Sequence, residues 1–290
     1  MPTTQMNGVS LFYTDRGSGI PILFVHPPLL SHLNFLYQLE GLSSSFRTIA
    51  LDIRGHGRSE PSIQAITYPL IAADIRALMD ELALERCFLC GYSLGGSIVL
   101  DFLLTYPQRA AGAVLIGAIP EILDLRLRQA LRLAVALSRP PAFHWLASVI
   151  SRTSADTPQL FRALLEDARR ADPRNVGQYY RCALSFNCTA RLPLIQHPVL
   201  LVLGEKDKTF HRYGALLRSR LPHAQLVMIP RVKHQVPTRG SRDLNRHITR
   251  FVHQHAQRPL LERQGEPWVG DWLSAFEEKA GDQPSLSSPE

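Results

Sequence analysis

Lysine is scarce in this sequence, so its positive charge rests almost entirely on arginine. The chain has 290 residues and 32 basic side chains, of which only Lys206, Lys208, Lys233 and Lys279 are lysines. The arginines are scattered along helical stretches such as 125–132, whereas a nucleic-acid binder clusters basic residues on one face or interleaves them with aromatics. The net charge of +7 therefore predicts a solvated basic surface and no nucleic-acid partner.

Long apolar runs are missing as well. No run reaches the roughly 18 residues that a bilayer-spanning helix needs. The opening stretch does not combine a basic segment with an apolar run of signal-peptide length. These absences predict a cytoplasmic protein without a membrane partner, and nothing in the pattern predicts an oligomeric state.

Cysteine is equally limited, with four residues in the chain. Two of them form C-F-L-C at 87–90, which has the spacing of a redox or zinc motif. The segment has the composition of a strand, however, and residues three apart in a strand point to opposite faces, which disfavours a shared metal or disulfide. Cys182 and Cys188 have no His or Cys partner at ligand spacing. We therefore predict buried apolar thiols, no metal site and no cofactor.

Apolar, strand-like runs recur along the chain, and helical patterns separate most of them. The runs are P-I-L-F-V, R-T-I-A-L-D, C-F-L-C-G, G-A-V-L-I-G, P-V-L-L-V-L-G and Q-L-V-M-I-P. This alternation predicts an α/β fold with a mostly parallel central sheet and helices on both faces. Residues 6–17 alternate in polarity and predict a single antiparallel edge strand.

The alternation stops after residue 118, and no strand pattern returns before residue 195. Two helix starts stand out in this stretch, Thr157-Pro158 and Asp172-Pro173, each a capping residue followed by proline at the first helical position. We therefore divide the chain into a first core segment (1–118), an inserted helical cap (119–194), a second core segment (195–256) and a polar tail (257–290).

The most informative motif is G-Y-S-L-G, which follows the strand C-F-L-C-G and precedes a helix. A serine on such a sharp strand-to-helix turn needs glycine on either side, here Gly91 and Gly95, because a side chain there would collide with the neighbouring turn. Ser93 is therefore the candidate nucleophile. The helix directs its first N–H groups at whatever binds there, so the N–H of Leu94 is a candidate oxyanion donor.

A serine hydroxyl needs a base to take its proton and a third group to orient that base. Asp207 follows the strand P-V-L-L-V-L-G, and His234 follows the last strand. Ligands of parallel sheets bind outside the carboxyl ends of the strands, which is where Ser93, Asp207 and His234 all fall. Glu205 competes for the acid role. The histidines that compete with His234 are His211, His223, His247, His253 and His255.

Several motifs in this order resemble the α/β-hydrolase family over residues 5–256. The segment D-I-R-G-H-G-R-S at 52–59 is similar to the family's Asp-x-Arg-Gly-x-Gly-x-Ser loop, and G-E-K-D and V-K-H also fit. The resemblance implies that Ser93 is the nucleophile, Asp207 the acid and His234 the base, with the helical cap as a lid. It also implies that Asp207, rather than Glu205, is the acid, and that no cofactor is needed.

Two consecutive prolines, Pro27 and Pro28, depart from the family pattern. In related hydrolases the F-V-H segment continues with glycine and then a residue whose N–H is the second oxyanion donor. Proline has no N–H to give. A side chain such as Ser31 or His32 could replace the missing donor, or a single donor could remain, but we predict that the N–H of Leu29 is the second donor, because Leu29 is the first residue after His26 with an N–H to give.

Two functions follow from these residues. The first is a serine hydrolase that cleaves a small carboxylic ester, thioester or lactone through an acyl-serine intermediate. The alternative is a hydrolase-fold receptor or signalling protein that binds a small molecule with little turnover, which the two prolines favour and the complete set of three catalytic residues disfavours. Fold alone does not decide between them.

Overall fold

The computed structural model of the protein describes residues 3–256, and within that range the chain forms eight β-strands and ten α-helices. The strands are β1 (Thr3–Met6), β2 (Val9–Arg16), β3 (Pro21–Val25), β4 (Arg47–Leu51), β5 (Cys87–Tyr92), β6 (Ala110–Ile116), β7 (Val199–Gly204) and β8 (Ala224–Ile229). The helices are α1 (Leu36–Leu42), α2 (Tyr68–Glu81), α3 (Leu94–Thr105), α4 (Leu125–Leu137), α5 (Phe143–Ser154), α6 (Pro158–Arg170), α7 (Pro173–Ser185), α8 (Lys208–Arg220), α9 (Val236–Arg239) and α10 (Ser241–His255).

The strands form one sheet in the order β1-β2-β4-β3-β5-β6-β7-β8. Every pair from β4 to β8 along this order is parallel, and β1 and β2 are antiparallel to their neighbours. Two apolar cores lie on the two faces of the sheet, one containing Cys87 and Leu89, the other Phe88 and Cys90. The predicted α/β class is confirmed, and the two cysteines of C-F-L-C are buried on opposite faces as unpaired thiols.

The prediction for residues 6–17 is wrong in one respect. Instead of a single edge strand, the structure has a hairpin, in which β1 is the edge and β2 pairs with both β1 and β4. Asn7 and Gly8 form the turn, with φ values of 47° and 79°. An Asn-Gly pair with positive φ at both positions closes a two-residue hairpin, and this signal lies inside the alternating pattern.

Four α-helices, α4 to α7, connect β6 to β7, and this part of the described chain contains no strand. Helix α4 packs against α7 and α5 against α6. The two predicted helix starts are present, because Thr157 Oγ1 accepts the N–H of Leu160 at 3.2 Å and Asp172 Oδ1 accepts the N–H of Asn175 at 2.8 Å. Both prolines occupy the first helical position.

Two further sequence-based predictions concern the polar tail and the absence of a bilayer-spanning helix. The predicted polar tail, residues 257–290, lies outside the described residues. Within residues 3–256, none of the helices combines the length and apolar character that crossing a bilayer requires.

The loop after β4 is held by a buried ion pair. The guanidinium of Arg54 donates to both carboxylate oxygens of Asp74 on α2, at 2.7 and 2.6 Å, and to the hydroxyl of Ser62 at 3.0 Å. Both charged side chains are only 1% exposed. Such a bidentate pair is geometrically specific, and it ties the D-I-R-G-H-G-R-S loop to the helix that covers the sheet.

We expect Arg54→Met to lower the free energy of unfolding by about 3–5 kcal/mol, because Asp74 would stay buried without its counterion. The double variant Arg54→Met/Asp74→Leu leaves no charge unpaired and should be less destabilised than the single variant. Urea unfolding at neutral pH, followed by circular dichroism, gives the three values. A loss below about 1 kcal/mol in Arg54→Met would mean that the pair contributes no more than a surface salt bridge.

Candidate active site

Ser93 lies at the junction between β5 and α3, in a strained backbone conformation with φ 53° and ψ −123°. A non-glycine residue in such a region costs of order 1–3 kcal/mol and persists only where the surroundings enforce it. Its side chain makes no capping hydrogen bond to α3. The hydroxyl lies instead 3.0 Å from Nε2 of His234, so Ser93 does not act as an ordinary helix cap.

The two glycines beside Ser93 stand where the backbone leaves no room for a side chain. A Cβ at Gly91 would lie 2.6 Å from the carbonyl oxygen of Gly95. A Cβ at Gly95 would lie 2.2 Å from the carbonyl oxygen of Val25 and 2.9 Å from that of His26. The contact at Gly91 lies within the predicted turn. The contacts at Gly95 show that α3 also packs closely on the end of β3.

His234 and Asp207 come from the turns that follow β8 and β7. Nδ1 of His234 lies 2.8 Å from Oδ2 of Asp207. A carboxylate only accepts hydrogen bonds, so Nδ1 carries the proton and Nε2 presents its lone pair to Ser93. The two turns are joined by backbone hydrogen bonds, from Glu205 N to Ile229 O at 2.9 Å and from Lys206 N to Val232 O at 2.8 Å.

The imidazole of His234 is confined by groups that the sequence did not single out. Phe210 on α8 stacks on the ring, with centroids 3.9 Å apart and planes 29° apart. Gly117, directly after β6, has φ 55°, and a Cβ there would lie 2.7 Å from Cε1 of His234. Gly117 ends the run G-A-V-L-I-G, so a glycine at the carboxyl end of a strand was the available signal. No local pattern pointed to Phe210.

The competing residues are engaged elsewhere. Glu205 Oε2 accepts the N–H of Arg231 at 2.7 Å, so this carboxylate braces the turn that carries His234. Nε2 of His211 donates to the carbonyl oxygen of Gly204 at 3.1 Å. His223 is exposed, and the other three histidines lie on α10. None of these is brought to the Ser93 hydroxyl.

Backbone N–H groups without a hydrogen-bond acceptor among residues 3–256 occur on both chain segments that were considered as sources of oxyanion donors. One is that of Leu94, the first residue of α3, where intrahelical acceptors are missing by geometry. Another is that of Leu29, a fully buried residue with φ 68°. Register aligns Val25 of β3 with Gly91 of β5, so the segment after β3 and the Ser93 turn leave neighbouring strand ends.

The side chains considered as substitute donors are occupied. The hydroxyl of Ser31 donates to Oδ2 of Asp167 at 2.8 Å. Nδ1 of His32 lies 2.9 Å from Oδ1 of Asp52, which also accepts the backbone N–H of His32 at 2.7 Å. Because each of these protons is directed at a carboxylate, Leu29 is the stronger candidate of the three.

One group of described residues has the composition of a metal site. Ligand atoms of His32, Asp52 and Asp167 lie within 4.8 Å of one another, and all three residues are buried. Their oxygens, however, already accept hydrogen bonds, including the N–H of Arg58 at 2.9 Å on Asp52 Oδ2. Burial raises the pKa of Asp52, but the hydrogen bond and charge of His32 more than offset this and leave the pKa lowered. We therefore assign these three residues a structural role, in which their hydrogen bonds hold the loops after β3 and β4 to each other and to α6.

Two further buried histidines lie under the candidate site. His26 donates from Nδ1 to the carbonyl oxygen of Pro27 at 2.8 Å and accepts the N–H of Ile53 on Nε2 at 2.9 Å. His56 donates from Nδ1 to the carbonyl oxygen of Arg54 at 3.1 Å, and its Nε2 has no hydrogen-bond partner among the residues that the structure describes. Burial lowers the pKa of both, that of His56 to about 3. Both rings are therefore neutral at physiological pH.

Comparison with known proteins identifies the family of the chain. Residues 20–237 match the family model described as alpha/beta hydrolase fold. A bifunctional esterase/perhydrolase from Acinetobacter calcoaceticus is 26% identical over 272 residues, covering 86% of this chain and 98% of that protein. Other curated relatives are matched over 69%, 36% and 31% of their own length.

Solved structures show the same architecture. An esterase from Thermogutta terrifontis has a TM-score of 0.77 at 24% identity, covering 87% of this chain and 97% of that chain. An enol-lactonase from Burkholderia xenovorans LB400 has a TM-score of 0.78 at 20% identity, covering 87% of this chain and all of the other. At these identities the likeness establishes a shared fold.

The low pKa of His56 predicts a loss of stability in acid. Well above pH 6.5 the His56 ring is neutral in both the folded and the unfolded protein, so its titration does not change the free energy of unfolding. Below pH 6.5 the ring is protonated in the unfolded chain but stays neutral in the folded protein down to about pH 3. The free energy of unfolding should therefore fall by roughly 1–2 kcal/mol between pH 7 and pH 5 through this residue.

His56→Asn keeps a donor for the Arg54 carbonyl and removes the titration, so its unfolding free energy should depend less on pH than that of the wild type. Urea titrations at pH 7 and pH 5 measure the difference. His223→Asn, at an exposed histidine, is the control and should follow the wild type. Equal pH dependence in all three proteins would contradict the prediction.

Proposed function

This chain belongs to the alpha/beta hydrolase fold family, and on that premise we propose that it is a serine hydrolase that cleaves a small carboxylic ester, thioester or lactone. The observation that carries the proposal is the hydrogen-bonded line from Asp207 through His234 to Ser93, with separations of 2.8 and 3.0 Å. A protein that only binds a ligand does not need a serine, a histidine and an aspartate in this hydrogen-bonded order, which argues against the receptor alternative.

The proposed reaction runs through an acyl-enzyme. Nε2 of His234 takes the proton of Ser93 as the serine oxygen attacks the substrate carbonyl, and Asp207 holds the resulting imidazolium. The tetrahedral intermediate collapses when the imidazolium protonates the leaving oxygen or sulfur, which leaves an acyl-serine. His234 then takes a proton from water, whose oxygen attacks the acyl group, and returning the proton to Ser93 releases the acid.

The negative charge of each tetrahedral intermediate needs preorganised donors. We assign these to the N–H groups of Leu94 and Leu29, which have no acceptor in the described residues. A serine nucleophile disfavours halide displacement and epoxide opening through an alkyl-enzyme. The insertion, residues 119–194, serves as the lid. Similarity to an esterase/perhydrolase supports an acyl substrate and leaves a perhydrolase side activity open.

The nucleophile and base are tested with a fluorophosphonate probe and a p-nitrophenyl ester of a short acid. We expect wild-type protein to be labelled and to hydrolyse the ester, and both Ser93→Ala and His234→Ala to lose nearly all turnover while staying folded, since members of the triad act as a unit. His211→Ala, the matched histidine on α8, should keep its activity. A wild-type protein that is neither labelled nor active would favour the receptor function.

The second donor is tested by replacing the amide between Pro28 and Leu29 with an ester, through an α-hydroxy acid at position 29. This exchange removes one N–H and keeps the side chain, and it should lower kcat by about 10²- to 10³-fold with little change in KM. Leu29→Pro is a poorer test, because proline cannot adopt the φ of 68° found here.

Leu29→Gly is the matched control, because glycine keeps the N–H and adopts positive φ readily. It should retain most of the wild-type kcat. An ester variant with the wild-type kcat would remove Leu29 from the mechanism, whatever the outcome for Ser93.

A further inference from the structure

The segment 26–32, here called the oxyanion loop, has few backbone hydrogen bonds of its own. Pro27 and Pro28 cannot donate, and the N–H of Leu29 has no described acceptor. The N–H of Leu30 reaches the carbonyl oxygen of Pro27 only at 3.4 Å. A donor held by such a loop would be loosely placed unless side chains from elsewhere fixed the loop.

Asp52 holds one end of the loop through the backbone N–H and Nδ1 of His32, and two further buried hydrogen bonds reach the loop from the insertion. The hydroxyl of Tyr179 on α7 donates to the carbonyl oxygen of His26 at 3.0 Å, and Tyr179 is fully buried. At the other end, the hydroxyl of Ser31 donates to Oδ2 of Asp167 on α6 at 2.8 Å, with both residues buried. Leu29, with its positive φ, lies between the two anchored positions.

The carbonyl of His26 is also the group against which α3 packs. A Cβ at Gly95 would lie 2.9 Å from this oxygen, so the first turn of α3 approaches it closely. The hydroxyl of Tyr179 therefore holds the start of the oxyanion loop directly beside the helix that carries the Leu94 N–H. Edge-to-face contacts with His56 and Tyr68 hold the ring of Tyr179 itself.

We propose that Tyr179 and Asp167 are positioning residues, through which the helical insertion sets the distance between the two oxyanion donors. The inference rests on the proposed function, because a positioned donor matters only if an oxyanion forms. The insertion then has a second role besides covering the substrate. Its side chains supply hydrogen bonds to the oxyanion loop, in which Pro27 and Pro28 have no N–H to donate.

The test uses the full chain, the same p-nitrophenyl ester and an alkylboronic acid, whose tetrahedral adduct with serine presents an oxygen to the donors. Tyr179→Phe keeps the ring and removes the hydroxyl. We expect kcat to fall about fivefold to tenfold with KM within about twofold, and the boronic acid to bind more weakly by a similar factor. A purely structural role would lower the melting temperature without moving these ratios.

Tyr180→Phe is the matched control, since Tyr180 is the next residue on α7 and its hydroxyl has no hydrogen-bond partner among the described residues. It should leave kcat and inhibition unchanged. Ser31→Ala removes the hydrogen bond to Asp167 and should lower kcat as Tyr179→Phe does. If Tyr179→Phe fails to fold, the kcat and boronic acid affinity of Ser31→Ala test the positioning role instead.

The outcomes separate the two proposals. If wild-type protein neither labels nor turns over, the serine hydrolase function fails and this inference fails with it. If wild-type protein is active but Tyr179→Phe and Ser31→Ala keep their kcat and boronic acid affinity, only the positioning role is overturned. An equal loss in Tyr179→Phe and Tyr180→Phe would also overturn it, because general packing of α7 would then explain the effect.

Discussion

The close approach of α3 to the ends of β3 and β5 is the constraint on which the rest of the site depends. The carbonyl oxygen of Val25 leaves room for only a hydrogen atom at the Cα of Gly95. In the same way, the carbonyl oxygen of Gly95, in the first turn of α3, leaves no room for a side chain at Gly91. This packing leaves Ser93 in its strained conformation and aims its hydroxyl away from the helix. It also brings the first N–H of α3 beside the segment that follows β3. The strained turn at Ser93 and its surroundings thus arise from one steric condition.

The two prolines change how the neighbouring loop is stabilised. Loops in proteins are usually held by their own backbone hydrogen bonds or by those of adjacent strands. Here part of the restraint comes from side chains of the inserted helices, which lie more than 130 positions away in the chain. Buried hydrogen bonds of this kind are costly to leave unmade, so the insertion and the loop are expected to lose their structure together.

Strong local patterns made much of the fold and part of the site predictable. The run P-I-L-F-V is β3, and the glycines around Ser93 mark the turn into α3. The hairpin at Asn7-Gly8 was missed because the alternating polarity on either side of the turn concealed it. Phe210 and Tyr179 were missed for another reason: an aromatic residue on a helix has many possible neighbours, and only the tertiary structure decides which one it meets.

The distance along the chain between Ser93 and His234 has a consequence for protein synthesis. These residues are 141 positions apart, and a ribosome adding about 5–20 residues per second needs roughly 7–30 s to pass from one to the other. During that interval the strand, turn and helix around Ser93 can already form, while His234 has not yet been synthesised. In the proposed mechanism, the Ser93 hydroxyl of a nascent chain therefore stays unactivated until His234 has been synthesised and has reached it.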